Sequence, residues 1–259
     1  MTTTASKDQF IGGGAYVLQP RSDGHRSGLD AVFLAATVPG TATGLLYDLG
    51  SGTGAAGFCC AARAPNLKVR LVERDEDMLE LAREGCDLPE NRAFSDRVEV
   101  LSADILMPAP AREEAGLVAN SADWVIANPP FYLQKKVRSS PHQHRREAHV
   151  LEEGDLETWF RLTAMLLKPG GQMAIIHTAD ALIDVLKLCE GRFGSLEIRP
   201  IHPRPGKKAN RVVVSGQKGS RGELTLLPDF IVHDDAGNTT QAAAILREGK
   251  GFSDLETPL

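Results

Sequence analysis

The sequence predicts an α/β domain built on a mainly parallel sheet with helices on both faces. Three observations carry that prediction. Short apolar runs of four or five residues alternate with helical-period segments along most of the chain. The apolar runs are continuous rather than alternating, which marks strands buried on both faces. A glycine-rich turn, Asp48-Leu-Gly-Ser-Gly-Thr-Gly54, joins the first such run to a small-residue helix.

The first eleven residues are expected to be disordered. Residues 12–221 form the principal domain, within which 12–43 cap the site, and 222–259 form an extension packed on the domain. Gly12-Gly-Gly-Ala-Tyr-Val-Leu-Gln-Pro reads as a short strand. Ser27 precedes an apolar run with Asp30 three residues on, a variant capping box, and the helix over 28–38 stops at Pro39-Gly40. Leu45-Leu-Tyr-Asp-Leu is the first strand of the alternation, followed by a helix over 53–63. Val69-Arg-Leu-Val-Glu is the second strand, and Asp75 caps the next helix through Arg83. Val98–Leu101 and Trp124–Ala127 are the third and fourth strands. Asp155 caps a helix over 156–167, halted by Lys168-Pro-Gly-Gly, where Trp159, Phe160 and Met165 read as core. Met173–Ile176 is the fifth strand and 180–190 a helix. Strands near 195–201 and 211–215 end the sheet as a hairpin, and Phe230-Ile-Val-His adds a strand and turn in the extension.

Composition narrows the function classes. The chain has 259 residues, 42% hydrophobic and 24% charged, as in ordinary soluble domains. No apolar run reaches the ~18–20 residues of a membrane span, and the N-terminus lacks a signal-peptide core. Cys59, Cys60, Cys86 and Cys189 have no CxxC spacing, so neither a disulfide framework nor a zinc site is expected. His142, His144 and His149 have no partner acids at ligand spacing, so no metal is expected. The cytoplasm is the expected location. The net charge is −5, yet it is segregated. Segment 134–149 sets five Lys or Arg against Glu147 alone, and 199–221 has seven and no acid. Basic segments on an acidic body are the footprint of a polyanion partner, or simply two solvated loops.

The glycine turn lets backbone approach a ligand closely, and free N–H groups at a helix start favour a polar or anionic group. Gly52, Gly54 and Gly57 spell GxGxxG, and Glu73 ends the next strand at the offset where a carboxylate holds ribose hydroxyls. Walker-type phosphate binding is excluded because no Gly-Lys-Ser/Thr follows. The pattern serves NAD and S-adenosylmethionine (SAM) alike. Asp48 suits a cationic methionine moiety better than a pyrophosphate, and Asp104, after the third strand, could accept from an adenine amino group. Gly50, Ser51, Gly52, Gly54 and Asn128 complete this cofactor set.

Asn128-Pro129-Pro130-Phe131 follows the fourth strand. Two prolines end a strand, but here they also stiffen the turn and leave the Pro129 carbonyl free. With the Asn128 side-chain oxygen it makes two rigid acceptors, a match for the two hydrogens of a planar amine. Phe131 offers a stacking face, worth roughly 1–3 kcal/mol per base.

The order of these motifs resembles the class I SAM-dependent methyltransferases with an (N/D)PP(Y/F/W) motif, which methylate planar amino nitrogens. Within them the chain is most similar to the bacterial valine-tRNA adenine-N6 methyltransferases. Gly24-His-Arg-Ser-Gly-Leu-Asp30-Ala, Arg146-Glu147-Ala148-His149 and Leu227-Pro-Asp-Phe-Ile-Val-His carry that likeness, over about residues 12–245. Phe131-Tyr132 stands where those enzymes commonly have Tyr-Phe, a feature shared with rRNA guanine-N2 enzymes. The resemblance implies a Rossmann-like fold with a seven-stranded, mostly parallel sheet and a terminal antiparallel hairpin. It implies SAM as cofactor, RNA and specifically tRNA as partner, and Asn128, Pro129, Pro130 and Phe131 as the catalytic turn. Substrate contacts are expected from Tyr132, Lys135, Lys136, Arg138, Arg145 and Arg146 after the turn, and from Arg204, Lys207, Lys208 and Arg211 on the hairpin. Guanine N2 of rRNA, a protein glutamine, and an NAD-dependent oxidoreductase are the alternatives. The last requires a catalytic His, Tyr-Lys pair or Cys, which no segment supplies.

Overall fold

The computed structural model of the chain describes residues 5–21, 26–130 and 155–255. β1 (Ala5–Phe10) and β2 (Ala15–Pro20) form an antiparallel hairpin. There follow α1 (Leu29–Thr37), β3 (Thr43–Leu49), α2 (Ala55–Arg63), β4 (Asn66–Glu73), α3 (Glu76–Asp87) and β5 (Val98–Ser102). The second half runs α4 (Ala109–Glu114), β6 (Ala122–Ala127), α5 (Asp155–Leu166), β7 (Leu167–Thr178), α6 (Leu182–Cys189), β8 (Phe193–His202) and β9 (Arg211–Lys218). Two-residue strands β10 (Thr225–Leu226) and β11 (Phe230–Ile231) and then α7 (Gln241–Arg247) complete it.

The sheet order is β10-β8-β9-β7-β6-β3-β4-β5, with β11 also on β8. Strands β3 to β7 pair in parallel, while β9 is antiparallel to β7 and to β8. All seven expected strands are present, and β10 and β11 add to the edge. The chain builds outward from β3 through β4 to β5, then crosses to β6 on β3's other side. The strand order therefore reverses between β3 and β6, the switch point where such sheets open a crevice at their carboxyl ends.

Side chains alternate between two cores because strand residues alternate faces. Leu46, Ile126, Ala174 and Ile176 face α1 and α2, with Phe33, Leu34 and Phe58. Tyr47, Leu49, Val125, Ala127 and Ile175 face α5 and α6, with Trp159, Phe160 and Val185. Phe230, Val232, Leu246 and Phe252 of the C-terminal extension join the first core, and Phe230 stacks edge-on with Phe33 at 5.4 Å.

Three local features depart from the sequence expectation. Residues 5–10 are not disordered: they pair with β2, which tucks Phe10, Ala15 and Val17 against α2 and α3 and gives the polar strand a partner. Ser27 does not cap α1. Its backbone is held on both sides by the Gln19 side chain, at 2.6 and 3.2 Å, and Gly28 occupies the cap. Helix α4, for which the sequence reading gave no element, carries Pro108 at its cap and Pro110 in its first turn, where no intrahelical N–H is lost. Asp75 caps α3 as expected, accepting from Asp77 and Met78 amides.

Two arginines tie the α2 end to its surroundings. Arg97 donates to the carbonyls of Ala61, Ala64 and Leu67 at 2.7–3.0 Å. Arg63 donates to Gly249 at 2.9 Å, to Val38 at 2.8 Å and to Ala35, so one guanidinium joins α1, α2 and the extension. A buried carbonyl without a donor costs about 1–3 kcal/mol. Arg63→Met is thus expected to lower unfolding stability by about 2–4 kcal/mol, read as a shift in the urea midpoint at constant slope. An unmoved midpoint would mean that water replaces the guanidinium without loss.

Candidate functional site

The β3 and β6 register sets Leu49 opposite Ala127. One residue further, the glycine turn and Asn128 emerge side by side at the crevice. Gly50 has φ 63° and Gly52 φ 55°, the left-handed region that favours glycine. They do different work. A Cβ on Gly50 would fall 2.4 Å from the Trp159 ring, so α5 supports the turn from below. A Cβ on Gly52 would meet nothing within 4 Å, so this residue presents backbone to open space.

Three carboxylates line the strand ends. Glu73 accepts from the Gly52 amide at 2.8 Å through one oxygen, and from the Arg74 and Asp75 amides at 2.8 and 3.0 Å through the other. Each oxygen has two acceptor sites, so the oxygen that takes only the Gly52 amide keeps one site for a ribose hydroxyl. Asp104, half-buried beyond β5, accepts from the Leu106 amide at 2.9 Å and pairs with Arg74 at 3.2 Å. Asp48 is buried at 2% exposure and accepts from the Gly57 amide in the first turn of α2, at 2.8 Å. Burial pushes its carboxyl up to about 7; the Gly57 bond opposes this and the Glu73 charge adds to it.

Asn128 follows β6 directly, with its Oδ1 atom buried and without a hydrogen-bond partner among the described residues. The Ser51 hydroxyl in the neighbouring turn is in the same state. Buried polar atoms are nearly always paired, so unpaired ones call for a ligand or another explanation. Here two stand at adjacent strand ends, beside a carboxylate and an open backbone. A nucleoside cofactor with a polar tail fits that set. Pro129 is buried and Pro130 half-buried. Phe131, Tyr132, Lys135, Lys136, Arg138, Arg145 and Arg146 lie outside the described residues.

The loop from β8 to β9 opens on the same rim, because β8 runs in the direction of β7. Arg204, Lys207 and Lys208 are exposed on it. It stands two strands from β6, about 10–15 Å at the usual strand spacing. Arg211 begins β9 on this rim, but its guanidinium pairs with Asp30 of α1 at 2.9 Å. That contact and the Arg74–Asp104 pair had no sequence signal, since their partners lie 181 and 30 residues apart. Trp159 was legible as core by its helical spacing, but not as the support under Gly50. Among the described residues no cluster of three or more His, Cys, Asp or Glu could hold a metal, and no helix is long and apolar enough to cross a membrane. Burial pushes the thiols of Cys59 and Cys189 up to about 12, which leaves them unreactive.

A family model described as the methyltransferase small domain matches residues 28–198. A Porphyromonas gingivalis protein named tRNA1(Val) (adenine(37)-N6)-methyltransferase is 30% identical over 194 residues, spanning 73% of this chain and 72% of its own. The crystal structure of a predicted O-methyltransferase from Agrobacterium tumefaciens is 37% identical with a TM-score of 0.73, covering 86% of this chain and 97% of that one. M. jannaschii TYW2, solved with AdoMet, is 16% identical with a TM-score of 0.56 over 84% of this chain and 87% of its own, and shares the fold.

The Asp48 carboxyl gives a pH signature. Its folded pKa of about 7 lies above the ordinary 3.8, so the folded state holds the extra proton between those values. Its contribution to stability is therefore full at low pH and is lost as pH rises through about 7. Asp48→Asn removes this titration. Urea unfolding of the cofactor-free protein is expected to show a smaller loss from pH 5 to pH 8 in the variant, by on the order of 3 kcal/mol. Parallel pH profiles would refute this environment for Asp48.

Proposed function

The chain belongs to the methyltransferase small domain family, and from that premise we propose that it transfers a methyl group from SAM to the exocyclic N6 of an adenine in tRNA. The observation that carries the reading is the Asn128 Oδ1 atom, buried beside the glycine turn and without a partner among the described residues. SAM supplies an electrophilic methyl group when bound. The Gly50–Gly54 backbone, Ser51, Glu73 and Asp104 would hold it, with Asp48 behind the turn.

The rest of the chemistry belongs to the protein. An adenine N6 lone pair is delocalised into the ring and is a poor nucleophile. The Asn128 oxygen and the Pro129 carbonyl accept its two N–H groups. As positive charge develops on the nitrogen, both acceptors strengthen, and they are already in place. Losing one preorganised partner of this kind typically costs ~10²–10³ in rate. The product proton is acidic once the nitrogen is cationic, so no strong base is required. A hydroxyl acceptor presents one hydrogen and would leave one of the two oxygens unmatched, which favours an amine. The P. gingivalis relative's name supports adenine N6 in tRNA. The base must leave its stack, which is cheapest in a single-stranded loop. Phe131 and Tyr132 receive it in this reading. Phosphates are gripped by Lys135, Lys136, Arg138, Arg145 and Arg146, which follow the turn in sequence, and by Arg204, Lys207 and Lys208 on the rim. Arg211, paired with Asp30, steadies the rim. The reaction belongs in the cytoplasm, with its tRNA.

Asn128→Ala is expected to cut transfer at least ~100-fold while the calorimetric affinity for SAM stays nearly intact; retained turnover would sink the mechanism. Incubation with labelled SAM and fractionated RNA, followed by nucleoside analysis, should yield N6-methyladenosine in tRNA. N2-methylguanosine or methylglutamine would replace the proposed acceptor. Neutralising Lys207 and Lys208 together should flatten the salt dependence of RNA binding by roughly one to two slope units. An unchanged slope would assign them to a solvated face.

A further inference from the structure

One residue touches both carboxylates that face the cofactor's nucleoside. The Arg74 backbone N–H donates to Glu73 at 2.8 Å, and its guanidinium pairs with Asp104 at 3.2 Å. The Asp104 oxygens are thus fixed from two sides, Oδ1 by the Leu106 amide and Oδ2 by Arg74. Both partners are donors only, so Asp104 is held as an acceptor. The two side chains are 44% and 37% exposed, and a pair this wet adds little to stability. Its position is more informative than its strength. It spans the ends of β4 and β5, where Glu73 lies opposite Ser102 in register and the Ala103 amide donates to the Glu73 carbonyl at 2.8 Å.

We propose that Arg74 is a positioning residue that sets the base specificity of the cofactor site, by aiming Asp104 as an acceptor at a 6-amino purine. The inference rests on the SAM reading and extends it to a residue with no assigned part in it. A 6-amino group donates to the aimed carboxylate. A 6-oxo group turns an acceptor toward it and is rejected. Without Arg74 the Asp104 side chain keeps, among the described residues, only its Leu106 bond and turns more freely, so the preference weakens while the ribose contact at Glu73 persists through the backbone.

The test compares binding of S-adenosylhomocysteine and its deaminated analogue S-inosylhomocysteine by calorimetry. The unaltered protein is expected to prefer the adenine form by roughly 10-fold or more, as a charged hydrogen bond allows. Arg74→Ala should shrink that ratio several-fold, mostly by weakening the adenine form, and Arg74→Lys should restore part of it. Asp104→Asn, whose amide can rotate to donate, should nearly erase it. A loss of affinity equal for both ligands in Arg74→Ala would mark a merely structural role and overturn the proposal, as would an unchanged ratio. If the unaltered protein bound neither nucleoside, the SAM reading itself would fall, which is a different result from a preference that ignores Arg74.

Discussion

Parallel pairing of β3 with β6 is the constraint on which the site depends. It sets Leu49 opposite Ala127, so the next residues on each strand leave the sheet together. One becomes the glycine turn and the other Asn128. A one-residue slip would turn Asn128 to the other face. The register is pinned from both sides: Leu46 and Ile126 belong to the core under α1 and α2, and Leu49 and Ala127 to the core under α5. Hydrophobic burial thus fixes the spacing between the cofactor turn and the acceptor turn. Trp159 reinforces it, since its ring sits where any side chain on residue 50 would go.

The electrostatics follow from the same geometry. Strands that end together bring Asp48, Glu73 and Asp104 to one rim, and like charges this close raise each other's cost. The protein answers with backbone amides and one guanidinium. Gly57 serves Asp48, Gly52, Arg74 and Asp75 serve Glu73, and Leu106 with the Arg74 side chain serves Asp104. Asp48 is the one of the three that is sealed from water, and burial there outweighs its donor and lifts the carboxyl to about 7. A cationic ligand near this rim would be drawn by the set as a whole, while each acid keeps a separate local task.

Much of this was legible before any coordinates, because it is written in local pattern. Strands of continuous apolar residues, the Asp75 cap and the strand-ending prolines act over a few residues, and the motif order follows from the strand order. What escaped is long-range or compensated. The strand at Ala5–Phe10 has a polar sequence and forms because β2 and the helices behind it give it a partner. Helix α4 hides behind prolines that happen to fall in its first turn. Arg211, a cation that charge counting sets aside for phosphate, also pairs with Asp30 of α1. Charge patterning gives the sign of a segment, but folding decides which charges are already spoken for.

That distinction bears on how the rim meets a polyanion. Its acids are engaged by short-range donors within the strand ends, whereas Arg204, Lys207 and Lys208 stand exposed on a loop at least three strands away. Long-range attraction is screened over about 8–10 Å at physiological salt. A phosphate near the β8–β9 loop therefore feels those cations more strongly than the carboxylates, which lie three or more strand spacings off across the sheet, roughly 15 Å at the least. Separation along the sheet lets one edge hold a cationic donor site and an anionic substrate together, without either cancelling the other. The net charge of −5 says little about such a surface, because the two fields act on different parts of the substrate and the cofactor.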